Sequence, residues 1–140
     1  MDNFVADAIY IDAHPARVFE ALLDPEEVLV WLDADSVFID PRPGGVFKAQ
    51  RADGSTVAGA IAKCEPAERL EIEDYFQDGP DGRRGPMKLA FTLEPQGPGV
   101  WMTVRQDGLD ATPNWEAFAH STRQEWVLAT VALKRHVEQI

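Results

Sequence analysis

The side chains able to do chemistry are few and scattered. The densest group is LEIEDYF at residues 70–76, where Asp74 and Tyr75 follow the alternating pair Leu70 and Ile72. A carboxylate and a phenol at a strand end, where alternation loosens, offer an anchor for a polar ligand group or an acid-base pair. On a solvated edge they offer neither. Glu71 and Glu73, of the other parity, are expected to face water. Arg51 and Arg105 bind an acidic ligand group if they turn inward and pair with neighbouring carboxylates if they turn outward.

A nucleophile or a metal centre is harder to assemble. Cys64 is the only cysteine, inside a strand that ends at Glu65-Pro66, where a lone thiol acts as a small hydrophobe. It leaves no intrachain disulfide and nothing that points to an oxidising compartment. His14, His120 and His136 stand at a helix start, in mid-helix and near the C-terminus, without metal-ligand spacing. His120 alone is expected to turn inward, as a structural or a polar residue. No metal, cofactor or catalytic set is expected, and the balance leans toward binding over catalysis.

Charge narrows the partners. The chain of 140 residues carries 24 acidic and 13 basic side chains, a net charge of -11, with no basic stripe. Nucleic acid is not an expected partner, because its binding draws on cationic side chains, and anionic headgroups are repelled as well. The N-terminus MDNFVADAIYID has acids where a signal peptide carries basic residues, and no apolar run approaches a membrane span. A cytoplasmic protein folded as one domain over residues 1–140 is expected.

These residues must be held by a short list of elements. Residues 4–12 read as a strand. Pro15 then starts a helix whose stripe is Val18, Phe19, Leu22 and Leu23. Asp24 caps a second helix with Pro25 in its first turn and Glu27 where a capping box wants a carboxylate. Between residues 35 and 108, period-two patterns and turn signals delimit six strands. The clearest sets Met87, Leu89, Phe91 and Leu93 against Lys88, Thr92 and Glu94, and Met102 and Val104 alternate likewise, while Trp101 breaks the pattern. Thr112 and Pro113 open a terminal helix with a stripe through Trp115, Ala119, Thr122, Trp126, Ala129, Leu133, Val137 and Ile140, whose natural partner is the dry face of the sheet. Gly44, Gly45, Ala49, Ala58, Gly59, Ala60 and Ala62 put small side chains into strands, which suggests either a hollow behind them or close helix packing.

That order, together with HPARVFEALLDPEEVLVWL, DPRPGGVF, CEPAERLEIE and FTLEPQGPGVWMTVRQDGL, resembles the domain of Hsp90 ATPase activator homologues, within the START or Bet v 1-like superfamily. The resemblance implies an α+β helix-grip fold, β-α-α-β6-α, in which a curved antiparallel sheet wraps a long C-terminal helix around a cavity. Superfamily members bind lipids, hormones or polyketides, some are cyclases or aromatases, and some contact a chaperone. Three functions follow as expectations, led by a binding domain for a small hydrophobic or aromatic molecule. A chaperone-regulating module and a cyclase-like or hydrolytic enzyme are the alternatives, and a homodimer is left open.

In such a meander the turn at Asp53-Gly54, the glycine-rich segment 77–85 and the connection 109–114 share one end, the expected mouth. Segment 77–85 reads as a flexible lid or a plain solvent loop. Phe76, Trp115, Phe118 and Trp126 are the expected walls, and Phe47, Met87, Leu89, Phe91, Met102 and Val104 the inward apolar residues. Tyr10, Asp74, Tyr75, Arg105 and His120 are the candidates for polar selection.

Overall fold

The computed structural model describes residues 3–80, 82–111 and 113–139. The elements run β1 (Phe4–Ile11), α1 (Pro15–Leu23), α2 (Pro25–Trp31), β2 (Ala34–Ile39), β3 (Val46–Arg51), β4 (Thr56–Glu65), β5 (Arg69–Gly79), β6 (Gly82–Gln96) and β7 (Gly99–Asp107). A 3-10 turn at Leu109–Ala111 leads to α3 (Trp115–Glu138). All seven strands form one curved antiparallel sheet in the order β1-β7-β6-β5-β4-β3-β2. This is the helix-grip arrangement: α1 and α2 carry the chain from the β1 edge to the β2 edge, and α3 returns across the sheet's inner face.

Alternation decides which face each residue joins. Met87, Leu89, Phe91 and Leu93 of β6 are buried on the inner face, as are Val100, Met102 and Val104 of β7. Trp101 keeps this alternation after all: it lies on the outer face between Tyr10 and Glu94, 39% exposed. From α3, Phe118, Thr122, Trp126, Thr130, Leu133 and Val137 are buried, the continuous stripe its spacing demands.

The helix ends follow local chemistry. The Asp24 carboxylate accepts the Glu26 amide at 2.9 Å, which fixes the start of α2. The expected capping box does not close, because Glu27 Oε1 turns instead to Arg17 at 2.5 Å and to His136 of α3 at 2.8 Å. Thr112 and Ile140 lie outside the described residues. The α3 helix begins at Trp115, after Asn114 with φ 54°.

The small strand residues have a different explanation from a hollow. Ala58 and Ala60 pair with Phe76 and Glu73 on the outer face, and neither they nor Ala62 borders a cleft. A Cβ on Gly59 would sit 2.5 Å from Ile72 Cγ2, so that glycine admits close packing. Gly45 is required by the turn before β3, where a Cβ would lie 2.1 Å from the Asp40 carbonyl oxygen. The segment 77–85 is likewise mostly ladder: β5 and β6 pair out to Gly79 and Gly82.

Candidate functional site

A bulge in β5 builds the centre of the site. Simple alternation from Leu70 and Ile72 would send Asp74 inward and Tyr75 outward. Asp74 instead adopts φ 49°, the ladder with β6 shifts between Ile72 and Tyr75, and the parity reverses. Tyr75 is therefore buried on the inner face, and Asp74 is exposed. Gln77 follows Tyr75 inward, and Phe76 turns outward beneath Arg83, whose guanidinium carbon is 4.5 Å from the ring centroid.

Tyr75 borders a cleft of about 290 Å³ between the end of α2, the inner face of the sheet and the middle of α3. Its apolar walls are Val30, Trp31 and Leu32 on one side and Trp126, Leu128, Ala129 and Ala132 on the other. Trp31 Nε1 donates to the Ala21 carbonyl at 2.9 Å, which holds α2 against α1. Phe91 braces both indoles edge-on, with ring centroids 6.1 Å from Trp31 and 5.7 Å from Trp126. This aromatic floor fixes the shape of the space above it.

The polar lining has two states of satisfaction. Gln106, the next inward residue after Met102 and Val104, is fully engaged: its Oε1 accepts Trp126 Nε1 at 2.9 Å, and its Nε2 faces Met87 Sδ at 3.2 Å. The Thr122 hydroxyl, by contrast, is buried without a hydrogen-bond partner among the described residues. Burial also pushes the Tyr75 hydroxyl well above the ordinary tyrosine range, moderated by the nearby Arg51 charge and reinforced by Glu125, so it stays a neutral phenol. Arg51 reaches in from the end of β3 and meets Glu125 of α3 at 3.4 Å, a loose pair that ties the sheet to the helix.

A second, more open cleft of about 420 Å³ adjoins the first, sharing Gln77 and Glu125 with it. Asp53, Ser55, the β5-β6 hairpin, Arg84, Phe118 and Ser121 surround it. This is the end expected to form the mouth, and the first cleft lies beside it, toward α2.

Of the residues named from sequence, Tyr75 and Trp126 border the first cleft and Phe118 the second. Phe47, Met87, Leu89, Phe91, Met102 and Val104 are buried core that borders neither. The polar candidates need correction. Arg105 sits on the outer face with Asp107 at 2.8 Å and over the Phe4 ring at 3.8 Å. Tyr10 is also outward, its hydroxyl 3.3 Å from the Gln96 carbonyl. His120 is exposed beside Gln124, and Trp115 stands in the first turn of α3 away from both clefts. Tyr10 and Arg105 take the outward parity of their strands, and His120 the exposed side of α3, while Trp115 stays half-buried at the start of that helix.

Glu71 corrects another expectation. It is on the outer face but only 5% exposed, covered by the Arg69 guanidinium and by Lys88 at 3.1 Å. Burial alone raises its pKa, yet these donors outweigh it and hold the carboxyl below the usual range. A carboxylate group formed by Glu20, Asp24 and Glu27 also gathers within 4.8 Å. Asp24 there is engaged in capping and Glu27 in its pairs with Arg17 and His136.

Sequence reasoning missed Trp31, Asp33, Gln106 and Glu125. Gln106 was recoverable, since the period of Met102 and Val104 extends to it. Thr122 was already on the helical stripe without being read as a polar wall.

Known structures share this frame. Protein CV1439 from Chromobacterium violaceum is 26% identical over 99% of each chain, with a TM-score of 0.77. DynU16, a protein of the dynemicin biosynthetic locus, is 19% identical with a TM-score of 0.82, and this chain, 99% covered, spans 48% of it. The Aha1 dimer from Colwellia psychrerythraea is 17% identical over 96% of each chain, with a TM-score of 0.74. No curated protein matches this chain in sequence. No helix of the described residues is long and apolar enough to cross a membrane. Residues 12–138 match the family described as Activator of Hsp90 ATPase homolog 1-like protein, and the chain belongs to that family.

Proposed function

We propose that this chain is a binding domain for a small, largely apolar molecule, with its site in the cleft between α2, the sheet and α3. The observation that carries the reading is the unpartnered, buried Thr122 hydroxyl on the wall of an aromatic-floored space of about 290 Å³. A buried hydroxyl without a hydrogen bond costs about 1–3 kcal/mol, and a ligand group or an ordered water entering the cleft relieves it. The volume sits at the small end of ligand pockets and suits a molecule of one or two rings. The likeness to a protein of a biosynthetic locus supports the same direction. Tyr75, held as a neutral phenol, offers a hydrogen-bond donor to a polar group of the bound molecule.

A thermal-shift screen with one- and two-ring aromatic compounds tests the proposal, since a ligand that binds only the folded state raises the melting temperature. Ala129→Phe and Ala132→Phe fill the cleft from α3 and should abolish any shift found. Shifts that persist in both folded variants would place binding elsewhere.

A further inference from the structure

The cleft sets one loosely paired guanidinium, Arg51, near the Tyr75 and Thr122 hydroxyls on its walls, and this placement points to the charge of what it takes. The inference rests on the binding reading above. The Arg51 side chain is 15% exposed and carries five N–H donors, yet among the described residues its guanidinium meets only Glu125, at 3.4 and 3.5 Å, close to the limit of a hydrogen bond. Thr122 Oγ1 is buried without a hydrogen-bond partner among the described residues, and the Tyr75 hydroxyl lies on the same cleft, within reach of the Arg51 charge. Of the other polar lining, Gln106 Oε1 is occupied by Trp126, Gln77 can both accept and donate, and Asp33 is an exposed carboxylate at the rim. Glu125 is 37% exposed on α3, where its side chain reaches solvent.

We propose that the cleft binds a carboxylate-bearing apolar molecule, an aryl or short alkyl acid, whose carboxylate replaces Glu125 on Arg51 while the Tyr75 and Thr122 hydroxyls serve as further donors along the wall. A bidentate guanidinium-carboxylate bond is stronger than a neutral one, and Arg51 has already lost most of its water, so an incoming anion is not opposed by that cost. The net charge of -11 does not decide against it. At physiological salt, charges farther away than about 8 Å are largely screened, while the partly buried Arg51 is screened much less.

Calorimetric titration of the whole chain with 1-naphthylacetate and with the neutral isostere 1-naphthylacetamide tests this directly. The acid should bind about 10-fold or more tightly than the amide, the ratio expected of one charge-assisted pair. Arg51→Met should bring that ratio close to one. Glu125→Gln, which removes the competitor but leaves Arg51 in place, should widen the ratio by about 3-fold or more. Should Arg51→Met fail to fold by circular dichroism, Glu125→Gln carries the test by itself. Equal affinity of acid and amide for the unmodified chain overturns the anionic assignment while leaving the cleft as a binding site. Binding of neither probe overturns the cleft reading and this inference together.

Discussion

Glu71 and Arg51 are both withdrawn from solvent, with 6% and 15% of their side chains exposed, yet their surroundings differ. Glu71 lies on the outer face under a roof of cations, with Arg69 hydrogen-bonded to it, Lys88 at 3.1 Å and Lys63 at 3.9 Å. Arg51 borders the first cleft and, among the described residues, pairs only with Glu125, at 3.4 Å. A charge buried for the sake of the fold collects opposite charges until its lost hydration is replaced. Arg51, with one loose partner beside a concave aromatic surface, is the group that the proposed ligand would engage.

Mutations can break or sharpen this contrast. The largest effect is expected from Trp126→Ala, which removes the wall of the cleft, the edge contact with Phe91 and the bond to Gln106 together. It should cost about 3–5 kcal/mol in chemical denaturation, as for other buried aromatics cut to alanine. Glu71→Ala should follow at about 1.5–3 kcal/mol, because its hydrogen bonds are made with charged donors in a covered position. Thr122→Val should stabilise the empty protein by about 1 kcal/mol, since it deletes a buried hydroxyl that has no partner. Arg51→Met should lie within about 1 kcal/mol of zero, with a gain as the more informative sign. If Arg51→Met proves as damaging as Glu71→Ala, the two buried charges are alike and the contrast fails.

Acid titration separates the two sites further. The folded-state pKa of Glu71 is depressed, so its contribution to stability is present above the unfolded value, about 4.3 for glutamate, and is lost as pH falls through the folded value. Glu27, Asp53 and Glu138 are shifted the same way and add to the slope. Denaturation midpoints measured on descent below that range should therefore fall, and Glu71→Gln should make the descent shallower without abolishing it.

The frame was legible in sequence because its signals are local. Asp24-Pro25 announces a helix start whatever surrounds it, and the stripe from Thr122 through Trp126 to Leu133 leaves only one face to bury. The site was less legible because it depends on departures from local rules. The left-handed conformation of Asp74 exchanges the roles of two adjacent residues, and period two cannot foresee it. Trp31 enters the cleft from an element far away in sequence, so its position is a property of how α2 crosses the sheet. Arg51 stands at the last position of its strand, where alternation no longer fixes facing, and Glu71 was read as wet because parity reports the face but not what long neighbouring side chains cover.

The sheet never closes, and its two edge strands are β1 and β2. β2 carries Phe38 at 63% exposure, a feature that invites another chain to add itself as a further strand. Asp33, Asp35 and Asp40 stand before, within and after that strand, and acidic side chains along an edge repel an approaching copy. As the solution approaches the isoelectric point near 4.5, the net charge that keeps copies apart falls toward zero, just above the range in which the depressed carboxyls of Glu71, Glu27, Asp53 and Glu138 lose their contribution to folding, so self-association and loss of stability converge on neighbouring pH ranges.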